Sequence, residues 1–141
     1  MTDERPEFDY WHVWTDAAGV SRQERRVRTG FELQEFTSDH QPIWALSDSG
    51  EPRHIVFLTL PAGVIVHWHE NPVPQWIVVL SGRWFVETMD GTRVEMGAGE
   101  VSFGGDQATD PRREKRGHQS GALDGKACTL MLVQLDAATP A

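Results

Sequence analysis

Along most of the chain, apolar and polar positions alternate with a period of two, and Gly, Pro, Asn and Asp punctuate the runs. The clearest case is RWFVETMDGTRVEM. Trp84, Val86 and Thr88 alternate with Phe85 and Glu87, Asp90-Gly91 is a favoured two-residue turn, and Val94 and Met96 resume the pattern. A second hairpin is expected at YWHVWTDAAGVSRQERRVR. Trp11, Val13 and Thr15 alternate there with Tyr10, His12 and Trp14, Asp16 to Gly19 turn the chain, and Val27 is the only apolar residue between Arg22 and Arg28. A return strand of that composition belongs at a solvated sheet edge, where charge blunts further pairing. GFELQEF reads as a strand whose register slips between Leu33 and Phe36. RHIVFLTL, VIVHWH, QWIVVL, EVSF and KACTLMLVQL are short runs rich in apolar residues and bounded by turn signals. No stretch carries the 3.6-residue period of an amphipathic helix. The pattern predicts about ten short strands and an all-β domain, with two sheets packed or rolled into a jelly-roll barrel that leaves few edges.

Four stretches escape the alternation. TSDHQPIWALSDSGEPR reads as a loop anchored by Ile43, Trp44 and Leu46, with His40 in solvent. Residues 104–117, GGDQATDPRREKRG, combine glycines with a dense charge run. A structureless segment of that length in a compact domain is either functional or mobile. It can act as a lid whose Arg112, Arg113, Lys115 and Arg116 draw in an acidic substrate, or it can be a solvated excursion. Residues 1–9 read as a loose terminus, and DAATPA as a dispensable tail.

The length of 141 residues suits one domain, 1–141, with a barrel spanning about 53–136. The formal net charge of −8 disfavours nucleic acid as a partner. No apolar run reaches the length of a membrane span, and the acidic opening MTDERPEFD does not resemble a secretory signal. The single Cys128 cannot form an internal disulfide. A cytoplasmic protein is therefore expected.

The chemistry concentrates in GVIVHWHENPVPQWIVVLSG, residues 63–82. On a regular strand His67 and His69 project from the same face, and two neutral imidazoles on one face can share a transition metal. After the turn ENPVP, a returning strand can bring the side-chain oxygen of Gln75 near both rings. The spacing permits coordination without requiring it.

The run His67-x-His69-x5-Gln75-x6-Gly82, followed by QWIVVLSGRWFVETMDG, resembles the first motif of the cupin superfamily, in particular its short single-domain bacterial members. Gln75 stands where that family usually has Glu, after a gap one residue longer. The resemblance implies a cupin-type jelly-roll barrel, also called a double-stranded β-helix. It also implies a fourth ligand from a second motif, matched by Gly99, EVSF and then Gly117-His118-Gln119-Ser120. The implied metal set is His67, His69, Gln75 and His118, with Asp106 or Asp110 as the substitute if His118 lies outside the barrel. Iron, manganese, nickel, cobalt and zinc all tolerate such ligands.

A neutral ligand set leaves the metal its full charge, suited to polarising a carbonyl or binding an enolate. The expected function is a metal-dependent enzyme acting on a small apolar or aromatic, oxygen-bearing molecule. Its chemistry would be dioxygenase-like or that of a Lewis-acid isomerase, cyclase or lyase. The alternative is a cupin that binds or senses a small molecule without converting it. Glu87 is the candidate catalytic base, Glu70 a rim residue, and Phe57, Phe85, Trp44, Phe103 and Met131 candidate pocket liners. Trp68 falls on the opposite parity from the histidines and is assigned to core or interface. Tyr10, Trp11 and Trp14 suggest a homodimer in which the N-terminal hairpin covers a neighbour's barrel.

Overall fold

The computed structural model describes residues 5–35, 42–48 and 50–136. Phe36, His40 and the tail 137–141, each given a sequence-based expectation above, lie outside them. Among the described residues the chain is all-β, with twelve strands: β1 Phe8–Thr15, β2 Ser21–Arg28, β3 Glu32–Gln34, β4 Ile43–Ala45, β5 Pro52–Leu60, β6 Ile65–His69, β7 Gln75–Ser81, β8 Arg83–Thr88, β9 Arg93–Gly97, β10 Val101–Gly105, β11 His118–Ala122 and β12 Cys128–Leu135. They form a six-stranded sheet in the order β2-β1-β10-β7-β12-β5, a four-stranded sheet β6-β11-β8-β9, and a small β3-β4 pair. The two larger sheets pack face to face, as a jelly roll requires.

Alternation explains the packing. Ile77 and Val79 of β7 and Leu130 and Leu132 of β12 turn inward from one sheet. They meet Trp84 and Val86 of β8, Val94 and Met96 of β9, and Ala122 of β11 from the other. Tyr10, Phe103 and Leu135 form a separate buried cluster against Trp76, Val101 and Val133 on the other face of the larger sheet. The charged strand β2 lies at one edge of that sheet, where its composition placed it.

Three boundaries differ from the sequence-based expectation. Phe8 and Asp9, expected in the loose terminus, already belong to β1, which pairs antiparallel with β2 and parallel with β10. Ile43–Ala45, expected in a loop, pairs with Glu32–Gln34. β10 extends to Gly105, so the irregular connection starts at Asp106. That connection is pinned at several points. Thr15 Oγ1 donates to the Gln107 carbonyl at 2.7 Å, the Asp110 amide donates to the Gly19 carbonyl at 2.8 Å, and Asp106 and Thr109 are buried. Within the connection, only residues 111–115 form a continuous exposed stretch.

Candidate functional site

A cavity of about 320 Å³ lies between the two sheets. Val56, Leu58 and Leu60 of β5, Ile77 of β7, and Leu130 and Leu132 of β12 form an aliphatic flank. Its polar side is made by His69, Asn71, Gln75, His118, Ser120 and Gln134.

The histidine pair is reshaped by a β-bulge. On β6, His69 pairs with His118 and Val66 with Ser120, so His67 and Trp68 together oppose Gln119. The extra residue breaks the alternation. Both histidines are exposed, but Val66 and His69 line the cavity and His67 does not. His69 Nδ1 lies 2.8 Å from the His67 carbonyl oxygen. A carbonyl only accepts, so this nitrogen carries the proton and Nε2 is left for other contacts. Trp68 is half-buried, with Lys115 Nζ 5.5 Å from its ring centre.

His118 stands at the start of β11, its ring centre 4.6 Å from that of His69. Its Nδ1 lies 2.6 Å from Asp106 Oδ2, and both side chains are buried. Burial pushes the Asp106 carboxyl upward, but the hydrogen bond and charge of His118 and the Asn71 amide outweigh it and hold it below the usual range. Asp106 is thus a carboxylate, His118 donates through Nδ1, and Nε2 is again the remaining nitrogen.

The same carboxylate anchors a chain of amides. Asn71 Nδ2 donates to Asp106 Oδ1 at 2.9 Å, Gln75 Nε2 to Asn71 Oδ1 at 2.8 Å, and Gln134 Nε2 to Gln75 Oε1 at 3.0 Å. Its direction follows from the carboxylate. Asp106 can only accept, so Asn71 must present its nitrogen and its oxygen faces Gln75, and the same logic repeats out to Gln134.

Local backbone geometry allows this crowding. A Cβ on Gly104 would collide with the Asn71 side chain. Gly117 sits at φ +74, against the His69 backbone, where a Cβ would also collide. Glu70 locks the arrangement from outside. Its Oε2 accepts from the Thr109 amide at 2.9 Å, from Thr109 Oγ1, and from Arg116 Nη2 at 3.1 Å. Partial burial raises the Glu70 carboxyl, but these donors win and lower it. Glu70 points off the histidine side, as expected, yet it works as a clamp on the 106–117 connection and not only as rim.

The expected ligand set therefore comes together only in part. His69, Gln75 and His118 line one cavity, while the bulge sends His67 elsewhere. The Gln75 amide is engaged at both ends, its oxygen by Gln134 and its nitrogen by Asn71. Among the described residues, no group of three or more His, Cys, Asp or Glu side chains is placed to hold a metal ion. The four-ligand arrangement does not fit these side chains. Asp106, the substitute ligand, instead backs His118. Asp110, the other, is paired with Arg112 outside the cavity and held low, at about 2, chiefly by that hydrogen bond.

Glu87, the candidate base, is not among the residues that line the cavity. Parity on β8 turns Trp84, Val86 and Thr88 inward, and Glu87 lies on the outer face beside Gln119 at 3.3 Å and Arg93 at 4.0 Å. The expected pocket liners are also absent from the cavity wall. Phe57 and Met131 alternate out of the cavity, Phe85 lies under the Arg93 guanidinium, Phe103 joins the second cluster, and Trp44 sits near Arg5. Sequence reasoning passed over Asn71, Ser120 and Gln134. Only Gln134 had a legible signal, as the polar residue sharing parity with Leu130 and Leu132.

No family model matches the chain, and no curated protein matches it. Among solved structures, it is similar to an ethanolamine utilization protein Q from Salmonella typhimurium, with 16% identity, 94% of this chain and 98% of that chain covered, and a TM-score of 0.44. It is also similar to protein NMB1881 from Neisseria meningitidis, with 16% identity, 64% and 84% covered, and a TM-score of 0.42. A third similarity is to the cupin protein BF4112 from Bacteroides fragilis, with 18% identity, 73% and 91% covered, and a TM-score of 0.40. Among the described residues no helix is long and apolar enough to cross a membrane.

Proposed function

We propose that the cavity is an acid–base centre acting without redox change on a small, mainly apolar, oxygen-bearing molecule, within the isomerase, cyclase or lyase class. The observation that carries this reading is the buried Asp106 carboxylate 2.6 Å from His118 Nδ1. A carboxylate in that position fixes the ring and its tautomer and stabilises the imidazolium formed when Nε2 takes a proton. His69, alongside, can hold the substrate oxygen or return the proton. NMR in D2O tests it: the protein should catalyse hydrogen–deuterium exchange at the carbon beside the carbonyl of a small ketone such as octan-2-one, and His118→Asn should abolish the exchange. Exchange at an unchanged rate in His118→Asn would overturn the reading.

A carboxylate behind an imidazole is also the contact found behind metal-bound histidines. It favours a second reading, in which His69 and His118 alone hold a divalent transition metal. Dialysis against Zn2+ or Ni2+ separates the two. The metal reading requires one bound equivalent, lost in His69→Ala and His118→Ala and kept in His67→Ala.

We also propose that the chain pairs with a second copy through β5, not through the N-terminal hairpin. Tyr10 is buried, Trp11 packs against the main core, and Trp14 lies 5.2 Å from the Arg26 guanidinium, so these aromatic rings are used within the chain. β5, in contrast, is an edge strand of nine residues with no charge from Ile55 to Leu60, and Ile55 and Phe57 are 62% and 65% exposed. An uncharged apolar edge of that length recruits another strand. Light scattering should give a dimer, and Phe57→Lys a monomer. A monomeric wild type at micromolar concentration would refute the pairing.

A further inference from the structure

We propose that the ligand of this cavity is electrically neutral, with an aliphatic body and one hydroxyl or carbonyl head, and that the amide chain makes the site select against charge. The inference rests on the cavity being the ligand site of the acid–base reading, and it adds the substrate class.

The charge inventory of the cavity is the first support. Among the described residues that line it, none is Lys, Arg, Asp or Glu. The cations of the 106–117 connection are engaged elsewhere: Arg112 and Arg113 with Asp110, Arg116 with Glu70, and Lys115 over Trp68. A carboxylate or phosphate entering the cavity would lose its hydration and find no lysine or arginine to replace it, and any positive charge on His118 is already paired with Asp106. An ammonium fares no better. The nearest buried anion, Asp106, already accepts from His118 Nδ1, Asn71 Nδ2 and the Asn71 amide.

The amide chain is the second support. Its donors run from Gln134 through Gln75 and Asn71 to Asp106, so three neutral dipoles stand along the route from the carboxylate to Gln134. The polar groups left to a ligand are the imidazole Nε2 atoms, the Ser120 hydroxyl and the far side of the Gln134 amide. None of these is a lysine, arginine or carboxylate, and the hydroxyl and the amide both donate and accept. Such a set matches an alcohol or a ketone. The aliphatic flank of Val56, Leu58, Leu60, Ile77, Leu130 and Leu132 supplies the surface for the body. Gln75 then has a role that a glutamate cannot fill. A carboxylate there has no N–H for Asn71 Oδ1 and would place a charge on the cavity wall.

Isothermal titration calorimetry with ligands of one chain length tests the proposal: octan-2-one, octan-1-ol, methyl octanoate, octanoate and octylamine at pH 7.5. The three neutral compounds should bind, and octanoate and octylammonium should bind at least tenfold more weakly. Gln134→Lys should shift the order toward octanoate. Octanoate or octylammonium binding wild type as tightly as octan-2-one would overturn the proposal, as would binding of none of the five. Neutral ligands that bind while the exchange of octan-2-one fails would uphold this ligand class and sink the acid–base reading instead.

Discussion

The two sides of the cavity hold their positions by different physics. On the polar side, Asp106 has no exposed surface and takes hydrogen bonds from His118 and Asn71, while Gln75 and Gln134 extend the chain. Each link of that chain pairs one donor with one acceptor, so these side chains have a single consistent arrangement. On the β5 side, Val56, Leu58 and Leu60 are half-buried, and the strand is bonded to β12 along one edge only. Apolar contact is non-directional, so that wall is defined by shape and tolerates repacking. The contrast teaches that specificity should reside on the polar side and adaptability on the flank.

The strongest way to break the contrast is at its most constrained point. Asp106→Ala leaves His118 and Asn71 without their shared acceptor. It should cost about 3–5 kcal/mol, the range for removing one partner of a buried pair, in urea unfolding followed by fluorescence. A loss under about 1 kcal/mol would mean that the polar side is no more rigid than the flank. Next in size is Gln75→Glu, which leaves Asn71 Oδ1 without its donor and buries a second carboxylate. It should cost about 1–3 kcal/mol at pH 7, and less as acid protonates the new group. Equal stability with glutamine would show that the amide chain carries no structural weight.

Of the two sides of the cavity, acid should act on the polar one. The Asp106 and Glu70 carboxyls both lie below their ordinary values in the folded chain. Their stabilisation is present above the ordinary carboxylate pKa and is lost as pH falls through the lowered folded values. The unfolding free energy should therefore decline as the solution is acidified below about pH 5, and Glu70→Gln should flatten that slope. A slope unchanged in Glu70→Gln would remove the clamp from the account.

The flank gives smaller numbers. Leu58→Ala, half-buried on an edge strand, should cost about 1 kcal/mol, below the ~2–5 kcal/mol typical of fully buried leucine. A cost of about 4 kcal/mol would show that β5 is as tightly packed as the central strands. Smallest of all is His67→Ala. With its side chain exposed and its carbonyl untouched, the change should stay within about 0.5 kcal/mol and leave ligand binding intact. Loss of ligand binding in this variant would mean that His67 shares the cavity after all.

Strand by strand, the alternation in the sequence was a sound guide, because side-chain parity is a local property of the backbone. RWFVETMDGTRVEM reads as a hairpin from its own residues and is one, with Trp84 pairing to Met96 and Val86 to Val94. The charge of SRQERRVR likewise places β2 at an edge without knowledge of its neighbours. Parity could also have placed Phe57, Met131 and Glu87 outside the cavity, once Leu58, Leu132 and Val86 are taken as the inner set.

What the chain could not reveal on its own depends on partners distant in sequence. The bulge that turns His67 out is a register shift between β6 and β11, and nothing in VIVHWH encodes the neighbour's spacing. Asp106 and His118 sit at opposite ends of an irregular connection, and they meet because Glu70 and Thr109 fold it back. Asn71 lies in the turn before β7 and Gln75 opens that strand, whereas Gln134 comes from the far end of β12. The sequence by itself determined the all-β class, the strand parities and the presence of histidine chemistry, since these follow from local pattern and residue type. Only the tertiary structure decided which nitrogen of His118 is already hydrogen-bonded, which carboxylate backs it and which amides connect to that carboxylate, because hydrogen bonds between distant strands are set by register.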